Sequence, residues 1–488
     1  MKIVFAASEC APYAKTGGLG DVVGALPREL ARQGHDVTTY LPLYKQVSGY
    51  LAQKLTPRIV AHPSITVPFP DYNRFAAILD GGTPHGVQMY FVDMPELFNR
   101  DGIYGDARGD YADNAERFGG FSRAVLEASK IFGVPDLFHV HDWQTSLLTI
   151  LLRTVYFFDP MLRNVPSLLT IHNAGYQGWF KPNTIEKLLL PWDIFNKDAV
   201  EQYDTFNSLK GGIVYADGIT AVSRRYAEEI KTSEFGAGLE GALQRRADDL
   251  AGIINGVDYS EWNPATDPHI AAHYSPQDMR GKQECRRDLL HAFGLDHVPD
   301  GTPVLGIVSR LAPQKGFDIF AGMADALLAE NCALVVLGSG DRIYEDMFRD
   351  LQRRHPAKMA AHLRYDNILA HKIEAGADIF LMPSHYEPCG LNQIYSLKYG
   401  TVPVVRATGG LDDTIEQWSP ADNTGTGFKF YGTSSYDFLV AVRWALITYQ
   451  DKGAWAKLQR NGMAQNFSWE RAAKPYLDVY AELIRRRA

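Results

Sequence analysis

The sequence predicts an α/β protein made of two doubly wound parallel-sheet domains, and three observations carry that reading. Short β-branched runs alternate with longer amphipathic segments over residues 1 to 250, the same rhythm resumes from residue 251, and polar or glycine-rich motifs fall where strands end in each half. Strands alternating with helical patterns are the signature of strand-helix-strand units and parallel sheets. Such sheets bind ligands outside the carboxyl ends of their strands. At about 150 residues per domain, 488 residues allow two or three domains. Motifs in both halves favour two, facing each other across a cleft.

In the first half the expected strands are 3–7, 36–41, 87–92, 137–141, 167–171 and 218–222, with helical patterns at 21–33, 110–132, 142–157 and 224–232. Residues 42–84, rich in Pro, Tyr and Gly, break the rhythm and read as an insertion of irregular strands and loops over the cleft. In the second half the expected strands are 304–309, 333–337, 379–382 and 402–405, and helices follow Lys315, Asp341, Asn367 and Gly390. The tail is helical in pattern over 436–449, 454–465 and 469–487. The expected domains are 1–250 and 251–468, with 469–488 as a terminal helix.

Composition narrows the function. With 46% hydrophobic and 22% charged residues, the chain has the balance of a folded globular protein. Lys and Arg number 49 against 57 Asp and Glu, a net charge of -8 with no basic block, so nucleic acid is not an expected partner. Cys10, Cys285, Cys332 and Cys389 stand singly, which suits free thiols in a reducing compartment. Only residues 3–7 are apolar before Ser8-Glu9, too few for a secretory signal. The apolar stretch 147–158 is broken by Arg153 and falls short of the roughly 20 residues of a membrane span. A cytoplasmic protein without a membrane partner is expected, and the sequon at Asn466 reads as a chance match.

Six strand-end motifs carry chemistry. Lys15-Thr16-Gly17-Gly18-Leu19-Gly20-Asp21 follows the first strand and opens a helix, where glycines admit a close ligand and the helix start favours an anion. The dinucleotide fingerprint fails there, because Val23 stands at its third glycine position, and no Walker lysine motif occurs. His139-Val140-His141-Asp142-Trp143 and His172-Asn173 end the next two strands of the cleft face. A metal reading of His139 and His141 lacks a third ligand, so buried, hydrogen-bonded histidines are preferred. Asp142 and His172 suit sugar hydroxyls better.

Ser309-Arg310-Leu311-Ala312-Pro313-Gln314-Lys315-Gly316 places two cations where a departing pyrophosphate would need them. No Asp-x-Asp pair occurs in the chain, so side-chain cations and helix dipoles are expected in place of a metal, and no cofactor is expected. Pro383-Ser384-His385-Tyr386-Glu387-Pro388-Cys389-Gly390-Leu391 is the densest site. Glu387 would accept hydrogen bonds from hydroxyls, and the amides of Cys389, Gly390 and Leu391 would hold phosphate or sugar. Cys389 as a nucleophile lacks a paired base, so a small half-buried residue is preferred. The turn at Thr408-Gly409-Gly410-Leu411 could complete the pocket wall.

In order, these motifs resemble the bacterial glycogen synthases and plant starch synthases, retaining glucosyltransferases of the two-domain GT-B fold. The likeness covers nearly the whole chain and includes Asn255-Gly256-Val257-Asp258. It implies a hexosyltransferase that moves glucose from ADP-glucose to the non-reducing end of an α-1,4-glucan. It also implies that Lys15 with Gly17, Gly18 and Asp21 meets the donor phosphates, that Arg310 and Lys315 stabilise departing ADP, and that Glu387 with Cys389, Gly390 and Leu391 holds the glucose, beside Thr408. Tyr365 would lie against adenine, His172 beside the anomeric carbon, and Asp142, Asn173 and Asn255 along the sugar and acceptor side. Residues 364–367 depart from the family pattern in lacking its glycine and second acidic residue. The resemblance further implies that the last helix returns to the N-terminal domain. A UDP-glucose or small-sugar enzyme on the same fold and a non-catalytic glucan-binding protein are the competing readings.

Overall fold

The computed structural model describes residues 1–54 and 59–487. The chain divides into two compact units, one of residues 1–222, 227–256 and 469–488, the other of residues 223–226 and 257–468.

The first unit carries a nine-stranded sheet. Its order is Leu250–Gly252, Gly218–Ala221, Ser167–Ile171, Leu137–His141, Lys2–Ala6, Asp36–Pro42, Gln88–Asp93, Arg74–Asp80 and Ile59–Val67. All pair in parallel except Arg74–Asp80, which is antiparallel to both neighbours. The central strands are buried along their whole length, as continuous Val, Ile, Leu and Phe runs require of a sheet covered on both faces. Chain order reverses between Lys2–Ala6 and Leu137–His141, so the loops after these two strands flank the point where such a sheet opens a crevice.

Two features differ from expectation. The segment expected to hold irregular strands and loops does hold two strands of irregular register, which extend the first sheet, but it also holds the helix Lys45–Gln53; residues 55–58 lie outside the described residues. The short run Leu250–Gly252 is an edge strand paired with Gly218–Ala221, so the first unit continues to Gly256, past residue 250. The helix Trp469–Arg487 packs within the first unit: Tyr480 Oη lies 2.8 Å from His139 Nδ1, and Arg487 Nε donates to Asp217 at 2.7 Å. Tyr476 and Tyr480 are fully buried there.

The second unit is a six-stranded, all-parallel sheet in the order Met359–His362, Ala333–Leu337, Val304–Val308, Ile379–Met382, Val402–Arg406 and Phe428–Phe430. This is the strand order 3-2-1-4-5-6 of a dinucleotide-type sheet. Its switch point lies between Val304–Val308 and Ile379–Met382, whose loops carry Lys315 and Glu387. Two strands were absent from the expectation, Met359–His362 and Phe428–Phe430, both at sheet edges and short.

Candidate active site

In the second unit three loops are clamped together at the strand carboxyl ends. Gly316 has φ 70°, and a Cβ there would run into the carbonyl oxygen of Pro383. Gly409 has φ 46° and approaches the Glu387 carbonyl in the same way. Only glycine takes such a conformation without strain while letting two backbones touch. Hydrogen bonds close the cluster: His385 N donates to Gln314 O at 2.9 Å, Gln314 Nε2 to Tyr386 O at 3.1 Å, and Gly410 N to Glu387 O at 3.0 Å.

This backbone holds Lys315 Nζ 2.6 Å from Glu387 Oε2, and Ser384 Oγ donates to the same oxygen at 3.1 Å. Glu387 is buried, with 7% of its side chain exposed, so the pair sits where charge is weakly screened. Arg310 is exposed, and among the described residues its guanidinium has no ion pair or hydrogen bond. Cys389 is buried, Gly390 adopts φ 70°, and the helix Asn392–Lys398 that follows starts without a side-chain cap. Thr408 is buried beside Gly409, and Tyr365 stands 85% exposed in the loop after Met359–His362.

In the first unit the helix starts at Gly18 rather than Asp21. Lys15 Nζ is paired with Asp21 Oδ1 at 2.6 Å, both partly exposed. Burial raises the Asp21 carboxyl, and Lys15 works against that rise. The glycine loop does not present its first amides to a ligand. Thr16 N and Gly17 N donate to Glu9 Oε2 at 2.6 and 3.1 Å, Thr16 Oγ1 donates to Glu9 Oε1 at 2.7 Å, and Tyr104 Oη donates to the same atom at 2.6 Å. A buried carboxylate of the chain itself therefore takes the Thr16 and Gly17 amides, ahead of the helix start at Gly18. Side chains added at Gly17 or Gly18 would meet nothing within 4 Å, so open space lies outside the loop.

Asp142 stands at φ 48°, a backbone conformation costly for a residue with a Cβ. Its Oδ1 accepts from His172 N at 2.6 Å and Asn173 N at 3.3 Å, fixing the two strand ends together. Burial pushes this carboxyl up to about 7, against the two amides that favour its charge. His172 Nε2 lies 3.1 Å from His141 Nδ1, and burial pushes His172 down to about 3. His172 is thus a neutral imidazole near neutral pH. His139 Nδ1 lies 2.8 Å from Tyr480 Oη and its Nε2 2.6 Å from Thr170 Oγ1, so this ring is hydrogen-bonded on both sides. Asn173 turns its Oδ1 to Gly175 N at 2.9 Å, and Asn255 is buried with its Oδ1 unpartnered.

Residues 2–245 match the model of the starch synthase catalytic domain, and residues 296–460 match glycosyl transferases group 1. A glycogen synthase of Koribacter versatilis is 57% identical over 100% of this chain and 99% of its own length. The chain belongs to the glycogen synthase family. Glycogen synthase 1 of Geobacter sulfurreducens is 42% identical over 100% of this chain and 97% of its own. The catalytic domain of Arabidopsis thaliana starch synthase IV, solved with ADP and acarbose, superposes with a TM-score of 0.88 at 31% identity, covering 99% of both chains. A sucrose-phosphate synthase of Thermosynechococcus elongatus, at 16% identity and TM-score 0.60, shares the fold.

As a member of this family the chain is a glucosyltransferase of glycogen synthesis with a GT-B fold. No described helix is long and apolar enough to cross a membrane. Within the second unit the structure brings together Lys315, Glu387, Cys389 and Thr408, and within the first it brings together Asp142, His172 and Asn173. Lys15 and Asp21 form their own pair. Glu9 and Tyr104 escaped the sequence reading. The available signal was an acidic residue between the first strand and a glycine turn, a place where loop amides need an acceptor.

Proposed function

We propose that this chain transfers glucose from ADP-glucose to the non-reducing end of an α-1,4-glucan, with retention at the anomeric carbon and in the cytoplasm. The observation that carries the reading is the Lys315–Glu387 pair at the switch point of the second sheet, with the Glu387 carboxylate buried. Pyrophosphate bound there gains charge as the bond from the anomeric carbon to its oxygen breaks, and Arg310 and Lys315 neutralise that charge. Glu387 keeps Lys315 in place and accepts hydrogen bonds from glucose hydroxyls, with Cys389, Gly390, Leu391 and Thr408 around it. Tyr365 is free to stack on adenine. The acceptor hydroxyl attacks from the face the phosphate leaves, its proton passes to the phosphate oxygen, and the new glycosidic bond keeps its configuration.

Lys15, Gly17, Gly18 and Asp21 act on the donor phosphates through the Lys15 ammonium, since Glu9 takes the Thr16 and Gly17 amides. His172, neutral through burial, serves the anomeric centre as a hydrogen-bonding wall and not as an acid. Asp142, Asn173 and Asn255 line the sugar and acceptor side. The chemistry rests on positioning and charge stabilisation. The test is incorporation of labelled glucose into glycogen from ADP-glucose and from UDP-glucose at equal concentration. Transfer from ADP-glucose at a rate at least about tenfold higher is expected, a difference of about 1.4 kcal/mol in the barrier. Equal or preferred use of UDP-glucose overturns the donor, and release of free glucose without glycogen growth overturns the acceptor.

A further inference from the structure

The second unit holds a cavity of about 230 Å³ at the amino-terminal end of its sheet, opposite the loops that carry Lys315 and Glu387. Asp378, the residue before the Ile379–Met382 strand, forms part of its floor, with Lys282, Tyr449 and Trp455 around it and Lys452 at the rim.

The charges there do not balance. Lys282 is buried, and its ammonium spends its three N–H groups on neutral acceptors, Ala375 O, Tyr399 O and Thr401 Oγ1, at 2.9, 3.0 and 2.8 Å. Burial pushes this lysine down to about 8, and the Asp378 carboxylate offsets only part of that fall. The neighbouring Glu374 carboxyl is pushed up to about 8 by burial and is protonated at neutral pH. Asp378 is already matched by Arg286 at 2.6 Å and by Val304 N at 2.8 Å. Three cations, Lys282, Arg286 and Lys452, thus face one carboxylate, an excess of two positive charges. Trp455 adds a donor: it is 4% exposed and its Nε1–H has no acceptor. Leaving a buried donor unpaired costs about 1–3 kcal/mol, which a ligand acceptor would remove.

We propose that this cavity binds a small phosphate monoester, with the phosphate held by the Lys452 ammonium and the Trp455 indole N–H and the carbon skeleton laid against the rings of Tyr449 and Trp455. A phosphate monoester carries about -1.5 to -2 charges at neutral pH, which matches the excess. The volume lies below the roughly 300 Å³ where pockets for drug-sized ligands begin, so a few carbons fit and a nucleotide does not. The Tyr449 and Trp455 rings meet edge to face at 5.1 Å, and Lys452 Nζ lies over the Tyr449 ring at 3.4 Å, so cation and aromatic wall adjoin.

The test is calorimetric titration of the full chain at low salt, with saturating ADP present to fill the proposed donor site. Glycerol 3-phosphate is the probe, with inorganic phosphate and glycerol as controls. Saturable binding of glycerol 3-phosphate is expected, about tenfold or more weaker in Lys452→Ala, restored in Lys452→Arg and weaker in Trp455→Phe, which keeps the ring and removes the donor. Glycerol should give no saturation. Absence of saturable binding to the wild-type chain overturns the proposal, as does equal affinity in Lys452→Ala. Equal affinity for inorganic phosphate overturns the assignment to a monoester.

Discussion

Lys315 and Glu387 meet at 2.6 Å although 72 residues separate them in sequence, because each sits in the loop after one of the two strands that flank the switch point. Removing either leaves the other as an uncompensated charge in a weakly screened place. Glu387→Ala and Lys315→Ala should each lower kcat by about 100-fold or more. Since the two act as a unit, the double variant should lose little beyond the worse single one, so that the logarithmic losses do not add. Steady-state rates of glucan elongation across the four proteins check this; additive losses would mean that the pair does not work as one element.

The glycines divide into two classes with opposite outcomes. Gly316→Ala forces a Cβ into the Pro383 carbonyl at φ 70°, and should cost roughly 1–3 kcal/mol of stability in urea unfolding along with activity. Gly17→Ala meets open space at an extended φ of -155°, and should leave unfolding within about 0.5 kcal/mol of wild type while raising KM for the donor. Unchanged KM in a stable Gly17→Ala protein would remove that glycine from the donor site.

Glu9 organises the lysine loop from beneath. Glu9→Gln offers an NH₂ where Thr16, Gly17 and Tyr104 all donate, so roughly 1.5–3 kcal/mol of charge-assisted bonding is lost. The expected kinetic result is a raised KM for the donor with an unfolding midpoint lower than wild type. Lys15→Ala should behave differently. Its pair with Asp21 is partly exposed and contributes at most about 1 kcal/mol, so turnover should fall without a matching loss of stability.

The buried histidines set the response of the first unit to acid. His172 stays neutral when folded down to about pH 3 but binds a proton when unfolded below its ordinary 6.5, so the unfolded state holds more protons in that window and stability falls as pH drops. Burial pushes His139 and His141 in the same direction. Asp142 opposes them. Raised to about 7, its carboxyl is protonated when folded and ionised when unfolded between about pH 4 and 7, so its contribution grows as pH drops. Asp142→Asn keeps the Oδ1 acceptor and removes the opposing titration. The variant should therefore lose stability between pH 6.5 and 4 more steeply than wild type, by about 1.4 kcal/mol per pH unit, in urea unfolding followed across that range.

The motifs were legible because parallel sheets place chemistry at strand ends, and buried strands such as Leu137–His141 and Ile379–Met382 are apolar enough to find by eye. Lys315 and Glu387 could be assigned to one cleft from sequence because each motif lies between a strand and the helix after it, and because the family resemblance gives both to the donor. Three things were hidden. The strand Ile59–Val67 is exposed or half-buried over most of its length and pairs with Arg74–Asp80 in irregular register, so no clean period of two runs along it. The edge strand Leu250–Gly252 is three residues long, too short for any period. Glu9 was missed because the demand it meets comes from backbone amides seven and eight residues away, so its only signal is its place between the first strand and the glycine turn.

The helix Trp469–Arg487 gives the order of synthesis a meaning. Tyr476 and Tyr480 complete the core of the first unit, yet they are made after every residue of the second. On the ribosome the unit begun first is finished last: the 257–468 segment has its whole sheet available while the earlier unit still lacks the partner of His139. A nascent chain stalled before Trp469 should therefore hold a protease-resistant second unit beside a first unit that is still open to cleavage.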